Sequence, residues 1–136
     1  MEEKRKKRYM GKTELIKRRH GEIEKWKSGF FLEEKDRLAV YKALQEISEA
    51  CMDLIAMMLR DNDKIPEDDY TNINKTVKSG LLPNELKPSL DDLNGLRNRI
   101  VHEYNGLDDK IAFDAMSGIL PGVKKFVEVV EKWIGK

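Results

Sequence analysis

Apolar residues along this chain recur at steps of three and four, the spacing with which an α-helix buries one face, and the pattern is helical throughout. Thr13 is placed to cap a first helix running to about Lys27, with Ile16, Ile23 and Trp26 on one face and Ser28-Gly29 breaking it. A long second helix is expected from about Leu32 to Arg60, its inward stripe formed by Leu38, Tyr41, Leu44, Ile47, Cys51, Leu54, Ile55 and Met58. Cys51 and the group Met52, Met57 and Met58 belong to that stripe and its margins and read as packing residues. Asp61 to Pro66 is a loop by composition, and it lacks the glycine and the final glutamate of a calcium-binding loop.

A short helix is expected from Tyr70 to Val77, ending near Ser79-Gly80. After Leu81-Leu82-Pro83 a fourth runs to about Tyr104, with Pro88 tolerated near its start and Asn105-Gly106 as its stop. The last begins near Asp108. Its stripe is Ile111, Met116, Ile119, Leu120, Val123, Phe126, Val127, Val130, Trp133 and Ile134, with a kink expected at Pro121. Long amphipathic helices on short connections predict an all-α, up-and-down bundle of about five helices. The wide apolar faces of the second and last helices are compatible with a dimer, and the pattern leaves the oligomeric state open.

Composition agrees. The 136 residues suit one domain, and 38% charged residues with only 7% aromatics argue against a β-rich fold. No apolar run approaches the roughly 20 residues of a membrane span, and the N-terminus lacks a signal-peptide core, so a soluble, cytoplasmic protein with no membrane partner is expected. One cysteine excludes an intrachain disulfide framework.

Charge changes the picture more. The net charge is +1, yet residues 1–28 carry +6 and residues 29–70 carry −6. The excess lies in Lys4, Arg5, Lys6, Lys7, Arg8, Lys12, Lys17, Arg18 and Arg19. Residues 1–12 therefore read as a basic arm, either a disordered, solvated terminus or a segment that holds nucleic acid through its phosphates, ahead of a helical domain over 13–136.

Most enzymatic signals are missing: there is no glycine-rich phosphate loop, no HExxH and no Cys/His ligand cluster, so neither metal nor cofactor is expected. His20 lies on a charged face and reads as solvated surface. His102 stands near a helix end in Gly95-Leu96-Arg97-Asn98-Arg99-Ile100-Val101-His102-Glu103-Tyr104. A histidine can give or take a proton near neutrality, and an arginine grips phosphate with a planar fork. Together they supply what metal-free RNA cleavage needs: a base for the ribose 2′-hydroxyl, an acid for the leaving 5′-oxygen and a cation for the phosphorane. On composition alone, a helix-end histidine bonded to carbonyls explains the same residues.

The stretch from Arg97 to Tyr104 resembles the Arg-x4-His-x-Tyr motif of the HEPN superfamily, and specifically the HepT toxins of MNT/HepT toxin–antitoxin systems. Gly80-Leu81-Leu82-Pro83 before it, Gly95-Leu96 leading in and a proline-interrupted helix after it match the same layout over roughly residues 13–134. The resemblance implies a dimerising all-α bundle and a metal-independent endoribonuclease that leaves a 2′,3′-cyclic phosphate. It implies that Arg97 binds the scissile phosphate, His102 acts as general acid/base and Asn98 orients the site. Tyr104 matches the tyrosine that a partner MNT-type nucleotidyltransferase antitoxin adenylylates to silence the toxin. Arg99 either extends the phosphate track or is an ordinary exposed arginine, and Glu103 is expected outside the cleft.

Helix geometry bears on this reading. Arg97 and His102 are about 140° apart on a regular helix, whereas Arg97 and Tyr104 nearly coincide. Arginine and histidine meet if the arginine bends round, if the helix unwinds near Glu103, or if the cleft takes one group from each of two subunits. Two other functions stay open: a non-catalytic module that binds nucleotide, RNA or a nucleotidyltransferase, and a dimerisation scaffold whose basic arm adheres to RNA.

Overall fold

The computed structural model describes residues 1–135; Lys136, the last residue of the domain expected over 13–136, lies outside them. Five α-helices follow one another among the described residues: α1 Glu3–Trp26, α2 Glu34–Asp61, α3 Asp69–Lys78, α4 Lys87–His102 and α5 Asp109–Ile134. Single 3-10 turns at Lys27–Gly29, Asn84–Leu86 and Tyr104–Gly106 lie between them. None of the described helices is long and apolar enough to cross a membrane. α2 is the spine, packing on α1, α3 and α4, and α5 closes the bundle against α1 and α4. α1 and α4 thus lie across from each other, each flanked by α2 and α5.

The largest departure from the sequence reading is at the N-terminus. Residues 3–12 of the basic arm, for which disorder was one expectation, form about the first three turns of α1, which starts ten residues ahead of the predicted Thr13 cap. Tyr9 is the reason. Its ring is fully buried, meets Trp133 edge-on at a centroid distance of 5.2 Å, and its hydroxyl donates to Asp61 Oδ2 at 2.5 Å. Arg5 reaches the same carboxylate at 3.5 Å. Thr13 caps nothing; its hydroxyl donates back to the Met10 carbonyl within the helix. Replacing Tyr9 with alanine empties a buried aromatic site and is expected to cost about 3 kcal/mol or more. Urea unfolding should show the midpoint fall with the slope unchanged.

The other helices fall within about two residues of expectation, except that the predicted fourth helix is a 3-10 turn followed by α4. Pro88 sits in the first turn of α4, where its missing N–H breaks no bond. α5 continues through Pro121 as one helix. Cys51, Met52 and Met58 are buried core residues and Met57 packs at the margin.

Two expected core positions are not core. Leu38 and Ile111 are 45% and 58% exposed. Each lies about 120° round its helix from Leu44 and Val123, in the middle of the stripe that does face inward. Gly122 allows α4 to seat closely on α5: a Cβ there would come within 2.4 Å of both the Oγ and the Cβ of Ser89. Gly80, at φ +79°, turns the chain out of α3 in the left-handed conformation that glycine adopts without strain.

Candidate functional site

The side of α2 that carries Tyr41 and Glu49 faces the C-terminal half of α4 and the turn that follows it, and the two helices run antiparallel. Glu49 stands opposite Arg97, and two turns earlier Tyr41 stands opposite Tyr104. Arg97 donates to Glu49 Oε2 from Nη2 at 2.8 Å and from Nε at 3.3 Å, and to Asn98 Oδ1 from Nη1 at 3.3 Å. Three of its five N–H groups are thereby engaged and two remain. The side chain is 27% exposed. Arg97 and Asn98 are thus brought together, and Glu49 is a partner that the sequence reading did not include.

Two carboxylates, Glu49 and Asp69, lie within the influence of Arg97. Hydrogen bonding from Arg97 holds the Glu49 carboxyl below the usual glutamate range, with Gln45 and Lys42 contributing and burial opposing. Asp69, in the first turn of α3, is pushed up by burial, against the pull of Arg97. A depressed folded value means that Glu49 stabilises the protein above its ordinary value of about 4.3, and that this contribution is lost as the pH falls through the lower folded value. Glu49→Gln should therefore flatten the acid side of a stability–pH curve measured between about pH 3 and pH 7. An unchanged curve would show that the pair contributes nothing.

α4 ends at His102. Glu103 leaves helical geometry at φ −134°, ψ 31°, and the 3-10 turn from Tyr104 follows. Of the three ways for arginine and histidine to meet, unwinding at Glu103 is therefore present, but it begins beyond His102 and leaves the Arg97–His102 offset of a regular helix intact. His102 is exposed at the helix end, and among the described residues it makes neither a hydrogen bond nor an ion pair. Tyr104 is 39% exposed and packs its ring edge-on against Tyr41, at a centroid distance of 5.6 Å and 87°. Tyr41 is held in turn: its hydroxyl donates to Asp109 Oδ1 at 2.5 Å, and Arg37 Nε lies 3.5 Å from the same carboxylate. Burial, then the Asp109 bond, raise the Tyr41 phenol well above its usual range, so it remains a donor.

Arg99 stands apart. It is exposed in a cleft between α4 and α5 with Tyr70, Asp91, Asp92 and Ile111, on a face of α4 remote from Arg97. Glu103 is exposed. His20 has a partner that the sequence reading overlooked, since Glu24 one turn on lies 3.6 Å from Nε2.

A family model described as Ribonuclease HepT-like matches residues 12–130. A protein of Archaeoglobus fulgidus named "Putative RNase" is 33% identical over 138 residues, covering 97% of each chain. The chain belongs to the HepT-like ribonuclease family. The mRNA nuclease HepT of Shewanella oneidensis is 26% identical over 117 residues, 85% of each chain. The fold also superposes on a solved structure of the tri-AMPylated Shewanella oneidensis HEPN toxin in complex with MNT antitoxin. The TM-score is 0.84 at 25% identity, over 91% of this chain and 96% of that one.

Proposed function

We propose that this chain is the ribonuclease toxin of a toxin–antitoxin pair and that it acts as a homodimer without a metal. His102 removes the proton from a ribose 2′-hydroxyl, and the resulting oxygen attacks the adjacent phosphorus. The 5′-oxygen then leaves with a proton returned by an imidazole. Arg97 stabilises the additional negative charge on the phosphorane, Asn98 fixes the guanidinium, and the products are a 2′,3′-cyclic phosphate and a 5′-hydroxyl. An MNT-type nucleotidyltransferase antitoxin silences the site by transferring AMP to Tyr104.

The observation that carries this reading is that one end of α4, in a HepT-like ribonuclease fold, offers Arg97 with two free donors, an unpartnered His102 and a solvent-accessible Tyr104. Exposed Leu38 and Val101 beside it supply apolar surface for a second copy. The test is incubation of purified protein with RNA in EDTA, followed by analysis of the cut ends. Cyclic phosphate ends support the reading; 3′-hydroxyl ends, or cutting that needs added metal, overturn it.

A second reading draws on the Glu49 carboxylate that already engages Arg97. A non-catalytic HEPN module would keep that pair closed and bind nucleotide, RNA or a nucleotidyltransferase without cutting. Binding with no cleavage product in the same assay favours it.

A further inference from the structure

Apart from Lys6, which lies on another face, the lysines and arginines of α1 divide into two sets. Those on its flanks are tied to the bundle or to neighbouring carboxylates: Arg5 to Asp61, Lys12 to Asp53 at 2.8 Å, Lys17 to Glu131, and Arg19 to Glu46 at 3.1 Å and Glu22 at 2.6 Å. Lys4, Lys7, Arg8, Arg18 and Lys25 are all exposed, and among the described residues none of them has a carboxylate within ion-pair reach. At 100° per residue these five fall within roughly 100° of arc, a single stripe about 30 Å long. Gly11 lies in the same stripe with open space where a side chain would be, so a backbone could approach closely there. One carboxylate, Glu22, falls within this arc and is paired with Arg19; Glu14, at its edge, leans towards Lys17.

We propose that this outer stripe of α1 is a second RNA-backbone contact surface, which holds a flanking part of the substrate while the end of α4 cuts elsewhere. The proposal rests on the ribonuclease reading and adds a substrate class to it: RNA long enough, or folded enough, to reach round the bundle. α1 lies across the bundle from α4, so a short oligonucleotide seated at Arg97 does not reach the stripe of the same subunit. Five cations in a line without counter-ions match a row of phosphates, and contacts of this kind position an RNA without reading its sequence.

The test compares the wild-type stripe with a K4Q/K7Q/R8Q/R18Q variant. Glutamine preserves helix propensity, and circular dichroism checks the fold. Binding of a folded transcript is measured by anisotropy in a His102→Ala background, so that nothing is cut. The variant should bind about tenfold more weakly at about 0.1 M salt, and its salt slope should be shallower by about 3. In the active background, KM for the transcript should rise about tenfold with kcat unchanged, while cleavage of a tetranucleotide stays the same. Equal affinity and slope overturn the proposal. So does a loss confined to anionic phospholipid vesicles, which would make the stripe a membrane contact. If wild-type protein binds the transcript through the stripe but cuts neither RNA, the nuclease reading fails and the contact surface stands.

Discussion

RNA cleavage in EDTA should fall by about 10²–10⁴ when His102 becomes alanine, the range that a positioned acid/base group contributes. Arg97→Ala should cost about 10²–10³, because a charge-stabilising donor to the transition state is lost. Neither change should unfold the protein. His102 is exposed and has no polar partner among the described residues, and Arg97 is bound chiefly to Glu49, whose side chain is 42% exposed. Activity equal to wild type in both variants would mean that the cutting came from a contaminant.

The same two variants decide where the site is. Arg97 is held towards α2 by Glu49, while His102 projects from the last turn of α4, about 140° away on a regular helix. If each site takes its arginine from one subunit and its histidine from the other, a mixed dimer of Arg97→Ala and His102→Ala chains contains one intact site and one doubly defective site. Such mixed dimers should recover half the activity of a wild-type dimer. If both groups come from one subunit, every site in the mixture lacks a group and no activity returns. Recovery from two inactive parents cannot be produced by a structural defect in either.

How much of this was legible beforehand depended on how local the determinant was. The helices were, because their buried stripes repeat at the helical period and their ends are marked by Gly80, Pro88 and Asn105-Gly106. Leu38 departs from expectation because a step of three from Tyr41 still permits a drift to the rim, and Ile111 because five residues from Met116 is about 140° round the helix. The N-terminal turns were misjudged for a different reason. Charge density suggested disorder, but one aromatic residue, Tyr9, decides the matter through Trp133 and Asp61, residues 124 and 52 positions away. Arg97, Asn98 and His102 are named through the resemblance of their stretch to a family motif, not from spacing alone, and all three lie on α4. Glu49 could not be named this way, since nothing near residue 97 identifies which side chain of α2 will face it.

Tyr104→Phe should separate the two activities of the site: no AMP incorporation, with RNA cleavage retained. The substitution preserves the ring that packs against Tyr41 and removes only the oxygen that would attack the α-phosphate of ATP and expel pyrophosphate. In the presence of antitoxin and ATP the wild-type chain should lose its ribonuclease activity while the variant keeps it. The chain has four tyrosines, and the structure narrows the choice of acceptor. Tyr9 and Tyr41 are buried, with their hydroxyls committed to Asp61 and Asp109. Tyr70, on α3, is 45% exposed and is the competing acceptor. Labelling that persists in Tyr104→Phe but disappears in Tyr70→Phe would therefore move the modification to the cleft of Arg99. There it would not cover the histidine, and silencing would need another explanation. Transfer to Tyr104 needs none: it places a bulky anion two residues from His102, where it blocks the approach and repels the phosphate backbone of RNA.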